Sequence, residues 1–256
     1  MGAIRGKASK LFGSLVLVVL LGAFSSSVQA LVPVTNLTNG GSINFSNLVA
    51  PSTLLVQVGD KLFGNFGFQY TDTTGNTNDY LVASDLVLSA LSNTDGFGVS
   101  IQVPLVAQGA VTKDLTLEFS AQVVNPTTMM ISDVQLQVVG SASGLGVANV
   151  AETISTEGFG SGAIANLAVN FGASGATPPG GTDTVTLSAP QSMIWITKDV
   201  IVSGDPDGYP ETNPSQDVGT ISVIDQTFSQ VQVPEPSTMA LLGAGLAGLL
   251  IVRRRK

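Results

Sequence analysis

Apolar and polar residues alternate with period two along most of residues 31–233. Leu115, Leu117, Phe119, Ala121 and Val123 are separated by Thr116, Glu118, Ser120 and Gln122, and the same alternation runs through Val99–Val103, Val134–Val138, Leu167–Phe171 and Val185–Ala189. Successive strand residues point to opposite faces, so the pattern predicts strands that are apolar on one side and carry Ser, Thr, Gln and Asn on the other. Leu86–Leu91, Ile194–Val202 and Ile221–Phe228 read as less regular strands, and Leu54–Val58 and Val147–Thr156 as weaker ones. Leu62–Tyr70 sets Phe66, Phe68 and Tyr70 on one face against Asn65, Gly67 and Gln69 on the other. Turn-forming stretches such as Asn39-Gly40-Gly41, Asn125-Pro126 and residues 174–182 and 204–214 punctuate the runs. With no long 3.6-residue stripe in this region, about ten to twelve short strands predict an all-β fold, an antiparallel β-sandwich whose sheets press their apolar faces together.

The two ends break this pattern. Arg5, Lys7 and Lys10 precede the 14-residue apolar run Leu11–Phe24, and small polar residues follow up to Ala30. That is the layout of a signal peptide over residues 1–30, cleaved between Ala30 and Leu31. As a helix the run would reach about 21 Å, short of the roughly 30 Å membrane core, which favours a cleaved signal over an anchor. At the other end Pro234-Glu235-Pro236 is incompatible with helix, and Ser237 and Thr238 are suited to cap a helix that starts just after them. Residues 239–252 are apolar and predict a transmembrane helix, a short span that snorkelling flanking residues or local bilayer thinning can accommodate, stopped by Arg253, Arg254, Arg255 and Lys256. Basic flanks stay in the cytoplasm, so residues 31–233 are expected on the far side of the membrane. Gly243, Gly245 and Gly248 spell G-x-G-x-x-G, but inside the apolar segment, with no preceding strand and no acid beyond, so no nucleotide site is read from them.

Residues 234–256, preceded by Val233, resemble the PEP-CTERM sorting signal: Val233-Pro234-Glu235-Pro236-Ser237, then an apolar helix, then Arg253–Lys256. The resemblance implies export in a bacterium with an outer membrane, often one that makes exopolysaccharide. It also implies recognition by an exosortase, a membrane protease that would process the tail near Pro234–Pro236 and pass the body to the cell surface or matrix. An extended, proline-flanked segment beside the membrane suits a protease, because a helix must unwind to enter a cleft. The body itself is similar to the core domain of a subset of PEP-CTERM proteins, in the segments Val58–Phe66 (VGDKLFGNF), Ile196–Ser203 (ITKDVIVS) and Thr227–Gln230 (TFSQ). That likeness implies a β-sandwich and supplies no catalytic residues.

Composition narrows the chemistry. The chain has 256 residues with no cysteine and no histidine. Disulfides, zinc sites of Cys or His, a cysteine nucleophile, a Ser-His-Asp triad and a histidine pH switch are all excluded. Between residues 31 and 233 only Lys61, Lys113 and Lys198 stand against seventeen acids, a net charge of about −14. Such a surface repels phosphate backbones, so nucleic acid is not an expected partner.

Candidate sites in the body are few. Asp205, Asp207 and Glu211, in a loop stiffened by Pro206 and Pro210, are candidate ligands of a structural Ca²⁺, with Asp72, Asn76, Asn78 and Asp79 as a second acidic loop. No other cofactor is expected. Sugar binding would use Trp195, Tyr70, Tyr80 or Tyr209, with Trp195 expected in the core because it lies in an apolar strand. Glycoside hydrolysis needs two carboxyls about 5–10 Å apart in a cleft, and no pattern selects a pair. Each body lysine adjoins an aspartate (Asp60-Lys61, Lys113-Asp114, Lys198-Asp199). Neighbours on a strand face opposite ways, so the expectation is solvated charges at strand ends rather than local ion pairs. A covalent Lys–Asn staple of the kind known in some surface β-domains would instead need a buried lysine, an asparagine and a carboxylate together.

These readings lead to an exported, non-enzymatic structural or adhesion protein of the surface, matrix or biofilm. Its partners would be the secretion machinery, an exosortase and the membrane. A carbohydrate-binding module for exopolysaccharide is the alternative and an exported hydrolase the second. The expected domains are the signal peptide 1–30, the sandwich body 31–233 and the sorting signal 234–256.

Overall fold

A computed structural model describes residues 33–73, 80–93, 96–205 and 216–233. The signal peptide, Asp207 and Glu211, the apolar segment 239–252 and the basic end lie outside the described residues. Among the described residues no helix is long and apolar enough to cross a membrane.

The described chain is all-β. Its strands are β1 (Val34–Leu37), β2 (Ser42–Asn44), β3 (Leu55–Val58), β4 (Lys61–Asp72), β5 (Val87–Asn93), β6 (Gly96–Gln108), β7 (Thr112–Val123), β8 (Met129–Ser143), β9 (Val147–Ser155), β10 (Ala163–Gly172), β11 (Gly175–Thr177), β12 (Thr182–Gln191), β13 (Met193–Ser203) and β14 (Val218–Gln232). Single 3₁₀ turns occupy Phe45–Asn47, Ala83–Asp85 and Pro179–Gly181. One sheet has eight strands in the order β1-β3-β4-β7-β13-β9-β10-β11, and the other six in the order β12-β8-β14-β6-β5-β2. Pairing is antiparallel apart from β1 with β3. Against the expected ten to twelve strands, the three additional ones, β1, β2 and β11, are only three or four residues long. Alternation cannot show itself over so short a run.

The apolar phases of the two sheets meet in one core. Ile194, Ile196, Val200 and Val202 of β13 and Leu115, Leu117 and Phe119 of β7 are buried, as are Ile224 and Phe228 of β14 from the facing sheet. Phe63 bridges the layers, with its ring centroid 6.3 Å from Phe119 and 5.8 Å from Phe228. Phe63 and Phe66 are both inward although three positions apart, because a bulge interrupts β4 between Gly64 and Gly67. Asn65 occupies the bulge with φ 55 and donates through Nδ2 to Ser120 Oγ at 2.9 Å, while Ser120 Oγ donates to the Gly64 carbonyl at 3.2 Å. The extra residue restores the inward phase and re-aims the strand.

Candidate functional site

Three strands carry a polar residue where the alternation calls for an apolar one. Lys198 sits in the inward stripe Ile194, Ile196, Val200, Val202 of β13, Glu152 between Val150 and Ile154 of β9, and Gln226 between Ile224 and Phe228 of β14. Exposure is 0% for Lys198, 1% for Glu152 and 0% for Gln226, so the three lie in the core. Lys198 and Glu152 are direct partners in the β13–β9 ladder, whereas Gln226 comes from the opposite sheet.

Lys198 Nζ donates to both Glu152 Oε2 and Gln226 Oε1. The Gln226 carboxamide is fixed from its other side, where Nε2 donates to the Gln135 carbonyl of β8 at 3.0 Å. The Phe119 ring closes the cluster, its centroid 5.9 Å from Nζ. Glu152 Oε1 has no hydrogen-bond partner among the described residues. Burial drives the Lys198 ammonium below its ordinary range, opposed by Glu152, and drives the Glu152 carboxyl above its own, opposed by Lys198. The dry core thus favours the uncharged form of each partner more than water does.

This arrangement overturns the expectation of solvated lysines. Lys61 and Lys113 are also buried, at 1% and 6% exposure. Asp60 and Lys61 do form a local ion pair at 2.8 Å. The reason is that Asp60 lies in the β3–β4 turn beside Gly59 (φ 57), not on a strand, and its carboxylate folds back over the lysine. Burial lowers the Lys61 pKa and Asp60 opposes the shift. The signal for Lys198 is present in the sequence, since the residue falls in phase with four β13 hydrophobes.

Trp195 is also not where its apolar strand suggests. Its neighbours Ile194 and Ile196 face inward, so Trp195 points out of the eight-stranded sheet, half-buried, with Phe159 edge-on at 4.9 Å. Thr197, Thr153 and Asn166 continue this outward face, and Thr153 Oγ1 donates to Asn166 Oδ1 at 3.1 Å. Tyr70 is buried while Tyr80 is 51% exposed, and the two rings stack edge-on at 5.0 Å. Of the Ca²⁺ candidates, Asp205 is buried and Asp72 receives a hydrogen bond from Tyr70 Oη at 3.4 Å. The remaining members of both loops lie outside the described residues. Among the described residues no three acidic groups converge as a metal site.

Shallow clefts flank the sheets. One of about 360 Å³ is lined by Phe66, Phe68, Gln69, Thr116 and Glu118. Another of about 260 Å³ is lined by Tyr70, Tyr80, Asp85 and Lys113. Each of these two holds a single carboxylate. The interacting pair Asp114 and Asp199 lies instead on the outer face of the β7–β13 ladder.

The last strand leads to the tail. β14 runs between β8 and β6, and Val233 donates its N–H to the Thr128 carbonyl at 2.8 Å, so the chain is pinned to the sheet up to the residue before Pro234. Residues 232–256 match the PEP-CTERM protein-sorting motif. The chain carries a PEP-CTERM sorting motif. The motif covers Val233, Pro234, Glu235, Pro236, Ser237 and Arg253–Lys256. PEP-CTERM sorting implies an exported protein whose membrane-anchored precursor is processed by an exosortase and delivered to the cell surface.

Comparison with curated sequences finds no match. Among solved structures, the chain is similar to the enzymatically active domain of tailspike protein 4 of bacteriophage CBA120, at 10% identity and a TM-score of 0.27, covering 66% of this chain and 19% of that one. It is similar to the C-terminal CBM6 of LamC from Zobellia galactanivorans, at 10% identity and a TM-score of 0.23, covering 63% and 99%. It is also similar to a family 11 carbohydrate-binding module from Clostridium thermocellum, at 8% identity and a TM-score of 0.24, covering 67% and 89%. The chain spans about a fifth of the length of the first two solved structures it matches, 19% and 22%.

Proposed function

We propose that the PEP-CTERM motif delivers a non-catalytic sandwich to the cell surface or extracellular matrix, where the body serves in structure or adhesion. The observation that carries this reading is the match over residues 232–256, joined to the body by a strand paired on both sides. The acidic charge of the body suits a solvated surface domain and favours cations over polyanions. Deleting Pro234–Lys256 should leave the protein in the wrong fraction and remove the exosortase-dependent mass change. Unchanged location and mass after the deletion overturn the reading.

A polysaccharide-binding role is the second reading, favoured by the outward placement of Trp195 beside Phe159 and a hydroxyl- and amide-bearing sheet face. Aromatic rings bury large area at small entropic cost and stack on apolar sugar faces. Trp195→Ala should lower retention on the cell's own exopolysaccharide about tenfold, the worth of one lost contact of roughly 1.4 kcal/mol. Equal retention of variant and parent removes this reading.

A further inference from the structure

We propose that Lys198 and Gln226 become joined by an intramolecular isopeptide bond, formed with Glu152 as the proton-transfer group, that covalently staples the two sheets. The groups required are all present and enclosed: an amine, a carboxamide and a carboxyl, each no more than 1% exposed. Lys198 Nζ donates to Gln226 Oε1, which sets the amine against the carboxamide, and the Gln135 carbonyl holds Nε2 on the other side. Glu152 Oε2 accepts from the same Nζ that donates to Gln226 Oε1, so the carboxyl lies beside the reacting pair.

The chemistry balances without a cofactor. The lone pair of the Lys198 amine adds to Gln226 Cδ, and the Nζ–Cδ bond forms. The protonated Glu152 carboxyl first gives its proton to the developing oxyanion at Oε1, then accepts one from Nζ. As the tetrahedral adduct collapses, the Oε1 hydroxyl returns its proton to Glu152, the Cδ–Nε2 bond breaks, and Nε2 leaves as ammonia carrying the Nζ proton relayed through Glu152. The products are a secondary amide and one NH3, and Glu152 ends as it began. A nucleophilic lysine is one desolvated in an apolar pocket, and a general acid works best when its pKa is raised toward neutrality. Burial pushes both groups in those directions. Amidation of Glu152 itself would consume the carboxyl that Lys198 touches.

The same cluster is hard to account for as a stabilising ion pair. A buried charge pair repays its desolvation poorly, and apolar residues of like volume often serve as well. A covalent bond offsets it differently. It closes a loop between positions 28 residues apart. Cross-linking a loop of that length constrains the unfolded chain much as a disulfide does. The chain has no cysteine, so disulfides are not open to it as a means of bracing an exported domain.

The test is peptide mapping of the full chain, recovered from cells in denaturant, digested and analysed by tandem mass spectrometry. The expected result is one branched species joining the Lys198 and Gln226 peptides, lighter than their sum by one ammonia. It should vanish in Lys198→Met and Gln226→Leu and be lost or strongly slowed in Glu152→Gln. Only linear peptides with unmodified Lys198 and Gln226 in the parent protein overturn the proposal, however the variants fold. A Lys198–Glu152 link lighter by one water overturns the assignment of Gln226 as acceptor, and full linkage in Glu152→Gln overturns the role of the carboxyl.

Discussion

Removing the carboxylate beside Lys198 probes the energetics of the buried cluster. Glu152→Leu replaces one side chain of the Lys198 ion pair by an apolar one of similar size and leaves an amine in the core with no anion. Deleting one partner of a buried pair costs about 3–5 kcal/mol, because the remaining charge is uncompensated. Lys198 relieves that cost only by shedding its proton, and its ordinary value is 10.5. The folded variant therefore holds fewer protons at Lys198 than the unfolded chain, so its stability rises with pH by up to about 1.4 kcal/mol per unit until the unfolded lysine also titrates. A triple variant, Lys198→Met, Glu152→Leu, Gln226→Leu, removes every polar group of the cluster and fills the space with apolar atoms. It should be about 3 kcal/mol or more stabler than Glu152→Leu at neutral pH, with no comparable pH slope. The triple variant lacks both ends of the isopeptide bond, and peptide mapping of Glu152→Leu confirms that its chains are unlinked before the comparison is made. Urea titrations read by Trp195, the chain's one tryptophan, from about pH 6 to about pH 10 give both quantities. Equal midpoints for the single and triple variants, or a single variant that weakens as pH rises, would refute this account of the cluster.

Phe119→Ala should cost about 3–5 kcal/mol in the same titration, since the ring is fully buried between Phe63 and Phe66, and a loss under about 1 kcal/mol would mean the sheets do not pack through it. Asp114 is held above the ordinary carboxylate range by partial burial and then by Asp199. The folded chain keeps that proton to higher pH than the unfolded one, so the contribution turns unfavourable as pH rises through the folded value. Asp114→Asn should therefore raise Tm at neutral pH and leave it unchanged in acid, where the parent carboxyl is already neutral, as thermal melts at the two pH values will show.

Eleven of the fourteen strands are legible in the sequence, ten of them because a strand of seven or more residues with one wet face has to alternate, and the four-residue β3 as a weaker signal. The bulge in β4 is not, since Phe63 and Phe66 look out of phase until one residue is set aside, and only the pairing of Gly64 and Gly67 across β7 shows which. For the cluster, the inward phase of Lys198, Glu152 and Gln226 can be read strand by strand. Their meeting cannot. It depends on the β13–β9 register, which sets Lys198 opposite a residue 46 positions away, and on the facing sheet that supplies Gln226. Treating β13 as uniformly apolar misplaces Trp195, when the alternation of Ile194 and Ile196 already assigns it to the outer face.

The topology connects the tail to the cluster. In the membrane-anchored precursor, tension applied through the sorting motif enters the body at Val233 and passes into β14, which is laddered to β8 from Gln232 back to Val218 and to β6 from Phe228 back to Val218. A pull along a strand paired on both sides must shear many hydrogen bonds at once, but it loads only the six-stranded sheet. The eight-stranded sheet is coupled to it by core packing, which resists sliding weakly because apolar contacts have no preferred direction. Gln226 is the point where β14 reaches across to β13 through a polar side chain, between Ile224 and Phe228 and seven residues before Val233. A covalent bond there passes the load into both sheets near the place where it arrives. The same bond placed at the edge strands β2 or β12 would leave β14 free to slide first, so the central position of the cluster is the one that mechanical bracing of a tail-held domain requires.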